Sequence, residues 1–153
     1  MNQTRIRRAT ATDLPELLAF EQGVVEAERP CNSKIKAGEV HYYDLAKLIG
    51  DEESRILVAE SAGELTATGH ATLKESSYYF KHERHAYLGL MYVKPAFRGQ
   101  GIIQEIIEEL LTWARSQGIA DFFLDVYVEN QRAVQAYEKF GSRPHMLEMK
   151  MRD

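Results

Sequence analysis

Arg98-Gly99-Gln100-Gly101 sets a cation and two glycines between an apolar run and a long amphipathic segment. The run before it holds Leu88, Leu90, Met91 and Val93, and Lys94-Pro95 ends it. Proline cannot donate to a ladder and restricts the residue before it, so a buried strand is expected to stop there. After the loop, Ile103, Ile106, Ile107, Leu110, Leu111 and Ala114 recur at spacings of three and four, which predicts a helix with an apolar stripe. Glu105, Glu108, Glu109 and Arg115 take its other face. Between strand end and helix start, backbone N–H groups without helical partners collect, and glycines let a ligand approach them. Such a turn suits phosphate. It is not an NTPase P-loop, because no Gly-x-x-x-x-Gly-Lys-Ser/Thr run exists in the chain. Nor is it a full dinucleotide fingerprint: Gln104 stands where the third glycine would be.

A second segment, Asn130-x-x-Ala133-x-x-x-Tyr137-x-Lys139-x-Gly141, follows another strand-like run. Asn130 is a favoured helix cap. Tyr137 lies seven residues on, two turns along nearly the same side. Core packing with a satisfied hydroxyl is the ordinary role of such a tyrosine.

Together these segments resemble the GNAT superfamily of acyl-CoA-dependent N-acyltransferases. Val93-x-Pro95-x-x-Arg98-Gly99-x-Gly101-Ile102 looks like its acetyl-CoA loop, with Ile103 where the family has a small residue. The Asn130 to Gly141 segment is similar to its second cofactor segment, with Ser142 where a phenylalanine often stands. The resemblance extends over nearly the whole chain. It implies acetyl-CoA as co-substrate, with its pyrophosphate on Arg98, Gly99, Gln100, Gly101, Ile102 and Ile103. It also implies backbone N–H groups around Met91, Tyr92 and Val93 on the thioester carbonyl and pantetheine amides, and Asn130 on the pantetheine arm. Tyr137 would stand by the thioester sulfur and give its proton to the departing thiolate. A phenol with pKa near 10 is protonated at neutral pH and suits that role. The implied reaction is direct attack by an amine of a small molecule or peptide within a ternary complex. The alternative is a module of the same fold that binds acyl-CoA without turnover.

The proton acceptor stays open. His85 sits at an odd position, like Tyr87, Met91 and Val93, and is expected on their face. An imidazole there could take the amine proton directly or through water. Glu83, Glu75, Glu28, Asp125 and water are rivals. His82-x-x-His85 has no companion ligand pattern, so no metal is expected. The acceptor should meet the loop of residues 28–43, the Tyr78-Tyr79-Phe80 turn and the C-terminal strands. Aromatics and carboxylates there suit an amine with an apolar body.

The elements that must position these residues read in order as follows. A short strand at residues 5–9 leads to a helix from Leu14, with Asp13 and Glu16 spaced as a capping box. A polar loop at 28–38 precedes a short helix at 41–49 with Tyr42, Leu45, Leu48 and Ile49 inward. Strands at 55–61 and 65–74 form a hairpin about Ala62-Gly63-Glu64. Strand 85–93 feeds the glycine loop and long helix, then come strand 122–128, a helix from Asn130 and a last strand at 145–151. The fold class is α/β (α+β): a central mixed, mostly antiparallel sheet flanked by about four helices. Its order is β-α-α-β-β-β-α-β-α-β, with room for one further strand, in one domain of residues 1–153.

Composition sets the bounds. The 153 residues are 44% hydrophobic and 27% charged, ordinary for a globular domain with a sizeable core. A net charge of −4 argues against a nucleic-acid partner held by phosphate neutralisation. Cys31 stands alone, so no internal disulfide can form and a cytoplasmic setting is the simplest expectation. Neither a leader peptide at the start nor a membrane-spanning run is expected. Self-association into a homodimer is left open.

Overall fold

The computed structural model describes residues 3–152. Met1 and Asn2, part of the stretch read as carrying no leader, lie outside the described residues, as does Asp153. The strands are β1 (Arg5–Arg8), β2 (Ser54–Ser61), β3 (Glu64–Glu75), β4 (Arg84–Val93) and β5 (Phe122–Phe123). The helices are α1 (Leu14–Glu28), α2 (Leu45–Gly50), α3 (Ile102–Ser116) and α4 (Gln131–Lys139). One sheet runs β1-β2-β3-β4-β5, antiparallel throughout except for the parallel pair β4 and β5.

Period-two alternation divides the sheet into two apolar faces. On one, Leu57 and Ala59 of β2 join Ala67, Ala71, Ala86 and Leu88 beneath Ile106, Leu110 and Trp113 of α3. On the other, Ile56 and Val58 meet Leu17 and Phe20 of α1 and Leu45 of α2. The β2–β3 hairpin turns on Ala62 and Gly63, both at positive φ, the geometry of a tight two-residue turn. Gly118 ends α3, with Ile119 N–H donating to Ala114 C=O, and Gly141 ends α4, with Ser142 N–H reaching Tyr137 C=O. Both are left-handed caps that glycine adopts without steric penalty.

Four local expectations shift. The capping box forms one turn early: Asp13 accepts from Thr10 N–H at 2.8 Å and pairs with Arg7, while Glu16 reaches Lys94 instead. The Arg7 guanidinium holds the Asp13 carboxyl below the usual carboxylate range. The helix expected at 41–49 begins at Leu45, because Asp44 caps it by accepting from Lys47 N–H. The strand expected at 122–128 pairs over Phe122–Phe123 only. No strand forms over 145–151 among the described residues, and Met146, Leu147, Met149 and Met151 are exposed. That stretch alternates as a strand does, but alternation supplies no neighbouring edge to pair with.

Gly23 of α1 faces the Tyr92 ring of β4, which packs at a tilt against Phe20 with centroids 5.2 Å apart. On helix propensity alone Gly23→Ala would stabilise α1 by about 1 kcal/mol. Contact reverses the sign: a Cβ there would stand 2.7 Å from Tyr92 Cζ and press on Cε2. Gly23→Ala should therefore cost about 1–3 kcal/mol, seen as a lower urea midpoint at unchanged slope. A raised midpoint would mean that α1 slides freely over β4.

Candidate active site

The parallel pair β4–β5 is the origin of the site. Its ladder holds only Ala86↔Phe122 and Tyr87↔Phe123, and the two chains then part. At the parting β4 carries a bulge: His70 faces Gly89 and Thr68 faces Tyr92, two steps on β3 against three on β4. Leu90 takes up the extra residue at φ 53°, uncommon for a bulky side chain, and buries itself against α1. Further along, Lys94 N–H donates to Thr66 C=O. By alternation the amides of Met91 and Val93 then face the opening, and that of Tyr92 faces β3.

The bulge divides the residues expected to share a face with His85: Tyr87 keeps it, and Met91 and Val93 leave it. One extra residue flips every later side chain, so Met91 and Val93 pack with Leu88 on the α3 face. Tyr87 points to the other face, toward His70. His85 itself lies by the paired end of the strands. Ser76 Oγ bridges its Nδ1 and that of His82 at 2.8 and 2.7 Å, and Phe123 packs at 5.4 Å. Burial, with help from His82 and Lys74, pushes the His85 pKa down. Five residues of strand separate it from the bulge, roughly 16 Å. Glu75 and Glu83 share that far end, as do Tyr78, Tyr79 and Phe80, whose rings run on to His82.

Beyond β4 the chain turns through Arg98, Gly99, Gln100 and Gly101 into α3. Arg98 Nε donates to Val93 C=O at 3.0 Å, tying the loop to the strand end. Gly99 and Gly101 both adopt positive φ, and a Cβ at Gly99 would meet open space. Gly101 caps α3 without any side-chain acceptor, so the first N–H groups of the helix stay available to an anion. Ile102 is buried and Ile103 packs on the α3 core, so these two offer backbone only. The cradle fits a pyrophosphate.

Past β5 the chain reaches α4. Asn130 Oδ1 accepts from Ala133 N–H at 3.4 Å, the cap its position calls for. Tyr137 is half-buried, and burial, then Tyr43 and Glu28 beside it, push its pKa up to about 12. At neutral pH it carries its proton. Glu28, the last residue of α1, also neighbours Tyr42 and raises that phenol after burial does.

Several residues of this side have no local sequence signal. Tyr42 and Tyr43 arrive on the irregular chain before α2. Tyr87 reaches Asp125 at 3.4 Å, and Asn32 donates to the Tyr127 hydroxyl at 2.9 Å. Burial pushes up the pKa values of Tyr43 and Tyr87, which keeps these phenols neutral. Gly89 is needed where it is: a Cβ would press on the Tyr43 hydroxyl and stand 2.7 Å from His70 Cε1. A glycine inside a strand run was the one available hint of close approach. Four phenols and two carboxylates beside an anion cradle can hold a cationic amine next to a phosphate-bearing donor. Among the described residues no group of three or more His, Cys, Asp or Glu converges to hold a metal. No described helix is long and apolar enough to cross a membrane.

A sheet parted beside an anion-ready helix start is a fold that solved acetyltransferases share. A tetramutant protein of Bacillus halodurans superposes with a TM-score of 0.85 at 23% identity, over 97% of this chain and 99% of that one. A predicted acetyltransferase of Clostridium acetobutylicum solved with acetyl-CoA gives 0.72 at 18%, over 98% and 96%. The chain belongs to the acetyltransferase (GNAT) family, whose model matches residues 22–142. It is similar to a mouse (Mus musculus) thialysine N-epsilon-acetyltransferase, 30% identical over 94% of this chain and 86% of that protein.

His70 is buried between Tyr43 and Tyr87, its ring 4.8 Å from that of Tyr43, and burial pushes its pKa down. The unfolded chain takes up a proton near pH 6.5 that the folded chain refuses. The contribution of His70 to stability is thus full above that pH and is lost as pH falls toward the folded-state pKa. Urea unfolding should show the wild type losing stability relative to His70→Gln by up to about 1.4 kcal/mol per pH unit below 6.5. Parallel pH profiles for the two proteins would contradict a neutral His70.

Proposed function

We propose that the protein transfers the acetyl group of acetyl-CoA to a primary amine of a small molecule or peptide, by direct attack within a ternary complex. The observation that carries this reading is the opening between β4 and β5, which leads into the glycine cradle beyond β4. Tyr137, whose phenol feels Tyr43 and Glu28, would face it from α4. The pyrophosphate would lie on the loop from Arg98 to Ile103 and the first turn of α3. The amides of Met91 and Val93 would donate to the donor's carbonyl groups, where fixed donors best serve a developing oxyanion.

For the acceptor, the mouse relative points to an amine on a short aliphatic chain, of the thialysine kind. Tyr42, Tyr43, Tyr87 and Tyr127 would enclose its apolar stem, and Glu28 and Asp125 would draw its ammonium in. Once neutral, having left its extra proton to solvent, the nitrogen attacks the thioester carbonyl. The C–N bond forms, the C–S bond breaks, and the attacking nitrogen sheds one of its two protons while the amide keeps the other. Of the acceptors considered, Glu28 has the best support, because it neighbours Tyr137 while His85 belongs to the far end of the sheet. The proton passes to Glu28 directly or across one water, and Tyr137 gives its own to the departing thiolate. Tyr137 then recovers a proton from solvent.

Tyr137→Phe keeps the ring and removes only the hydroxyl. Turnover should fall about 10²-fold or more, the scale of a positioned proton donor. The turnover number and the specificity constant should drop together, with acetyl-CoA affinity by calorimetry unchanged. Normal turnover in the variant would take Tyr137 out of the chemistry and leave water as the donor. Acetyl-CoA binding with no turnover of any amine would favour the non-catalytic module instead.

A further inference from the structure

Glu21 of α1 has no exposed surface, and the chemistry above does not use it. Its carboxylate is fully engaged by the irregular chain before α2. Oε1 meets His41 Nδ1 at 2.8 Å, and Oε2 accepts the N–H groups of both Tyr42 and Tyr43 at 3.0 Å. Next to it, Gln22 clasps Val40 in both directions, donating to its C=O at 2.6 Å and accepting its N–H at 3.2 Å. Residues 32–44 form no helix or strand, so their backbone groups depend on such side chains. One face of α1 therefore straps down the segment that delivers two phenols to the opening.

We propose that Glu21 is a positioning residue for the acceptor site: it fixes Tyr42 and Tyr43 over the opening, and His41 supplies the cation that compensates its buried charge. The role for the amine rests on the function proposed above; the strap does not. A carboxylate suits the task where an amide would not. Both its oxygens accept, so it serves a protonated His41 and the two backbone donors together, whereas the NH2 of a glutamine would confront that imidazolium or the two backbone donors. A buried carboxylate also needs a compensating partner. His41 is faced by Glu21 from α1 and by Glu39 from its own segment, at 2.8 and 3.2 Å. Both carboxylates raise its pKa, Glu21 the more. A raised histidine pKa puts the stabilisation fully in place below about pH 6.5, and it is lost as pH rises through the folded-state value.

The test is hydrogen exchange of peptides covering residues 36–44, with steady-state kinetics, on the wild type, Glu21→Gln and His41→Asn. Exchange of that segment should quicken about tenfold or more in both variants, while α3 keeps its protection. The KM for the amine should rise about tenfold, with acetyl-CoA affinity within about twofold of wild type. In the wild type, protection of the segment should weaken as pH rises above about 6.5, beyond the change in intrinsic rate, and His41→Asn should erase that extra dependence. His41→Asn leaves the buried carboxylate in place, so it serves even where Glu21→Gln folds poorly. Unchanged exchange in both variants overturns the strap. Quickened exchange with an unchanged amine KM overturns the positioning role. A wild type that acetylates no amine sinks the function proposed above, while the exchange rates still decide the strap.

Discussion

The structure depends on a ladder that is allowed to stop. Parallel strands gain by pairing along their full length, yet β4 and β5 share two registered pairs and then separate. What holds them apart begins inside β4. Leu90 adopts a left-handed backbone at a cost of about 1–2 kcal/mol for a non-glycine residue. Burying its side chain contributes about 1.5–3 kcal/mol, so the bulge can persist without help from any ligand. The opening is thus a property of the folded chain. Its amides do not have to be freed when a donor arrives.

Much else follows from the direction the bulge imposes. By turning Leu90 and Tyr92 toward α1, it gives that helix something to pack on, and Gly23 lets the Tyr92 ring come close. The packing fixes the line of α1, and the line of α1 decides where its C-terminal residue, Glu28, comes to rest. It also aims Glu21 and Gln22 at the segment before α2. The same helix that covers the sheet therefore carries Glu28, which acts on the Tyr137 phenol, and the side chains that hold the tyrosines. Packing and site share one scaffold.

Most of the fold was legible because it is written locally. The β2–β3 hairpin, the α3 stripe, the glycine cradle and the Asn130 cap each need only neighbours in sequence, and each lies where periodicity or capping rules put it. Errors arose where a partner from elsewhere decides. Parity along β4 failed at Leu90 because a bulge is a relation between two strands: His85 keeps the face of Tyr87 but not that of Met91 and Val93. Strand alternation at 145–151 lacked a neighbouring edge. Glu21 carries no local signal in the sequence; only the arrival of His41, Tyr42 and Tyr43 makes it interior. The tyrosines around the opening come from an irregular segment, from β4 and from the chain after β5, so no single window holds them.

The electrostatics of that enclosure bear on how it could serve an amine on the proposed reading. Burial keeps Tyr43, Tyr87 and Tyr137 protonated well above neutral pH, so these phenols add no charge to that of Glu28, Asp125 and the Lys74 ammonium that lies 4.8 Å from the centre of the Tyr87 ring. A wall of neutral phenols attracts an ammonium less than a wall of carboxylates would. That is useful, because an ammonium has no lone pair and must lose a proton before it can attack. Strong ion pairing would raise the amine's pKa and hold it in the unreactive form. Two carboxylates suffice to recruit the cation, and half-buried phenols then shift the balance toward the neutral nitrogen, since desolvation disfavours charge. Recruitment and activation make opposite demands on the same site, and its mixture of few charges with many neutral hydroxyls meets both.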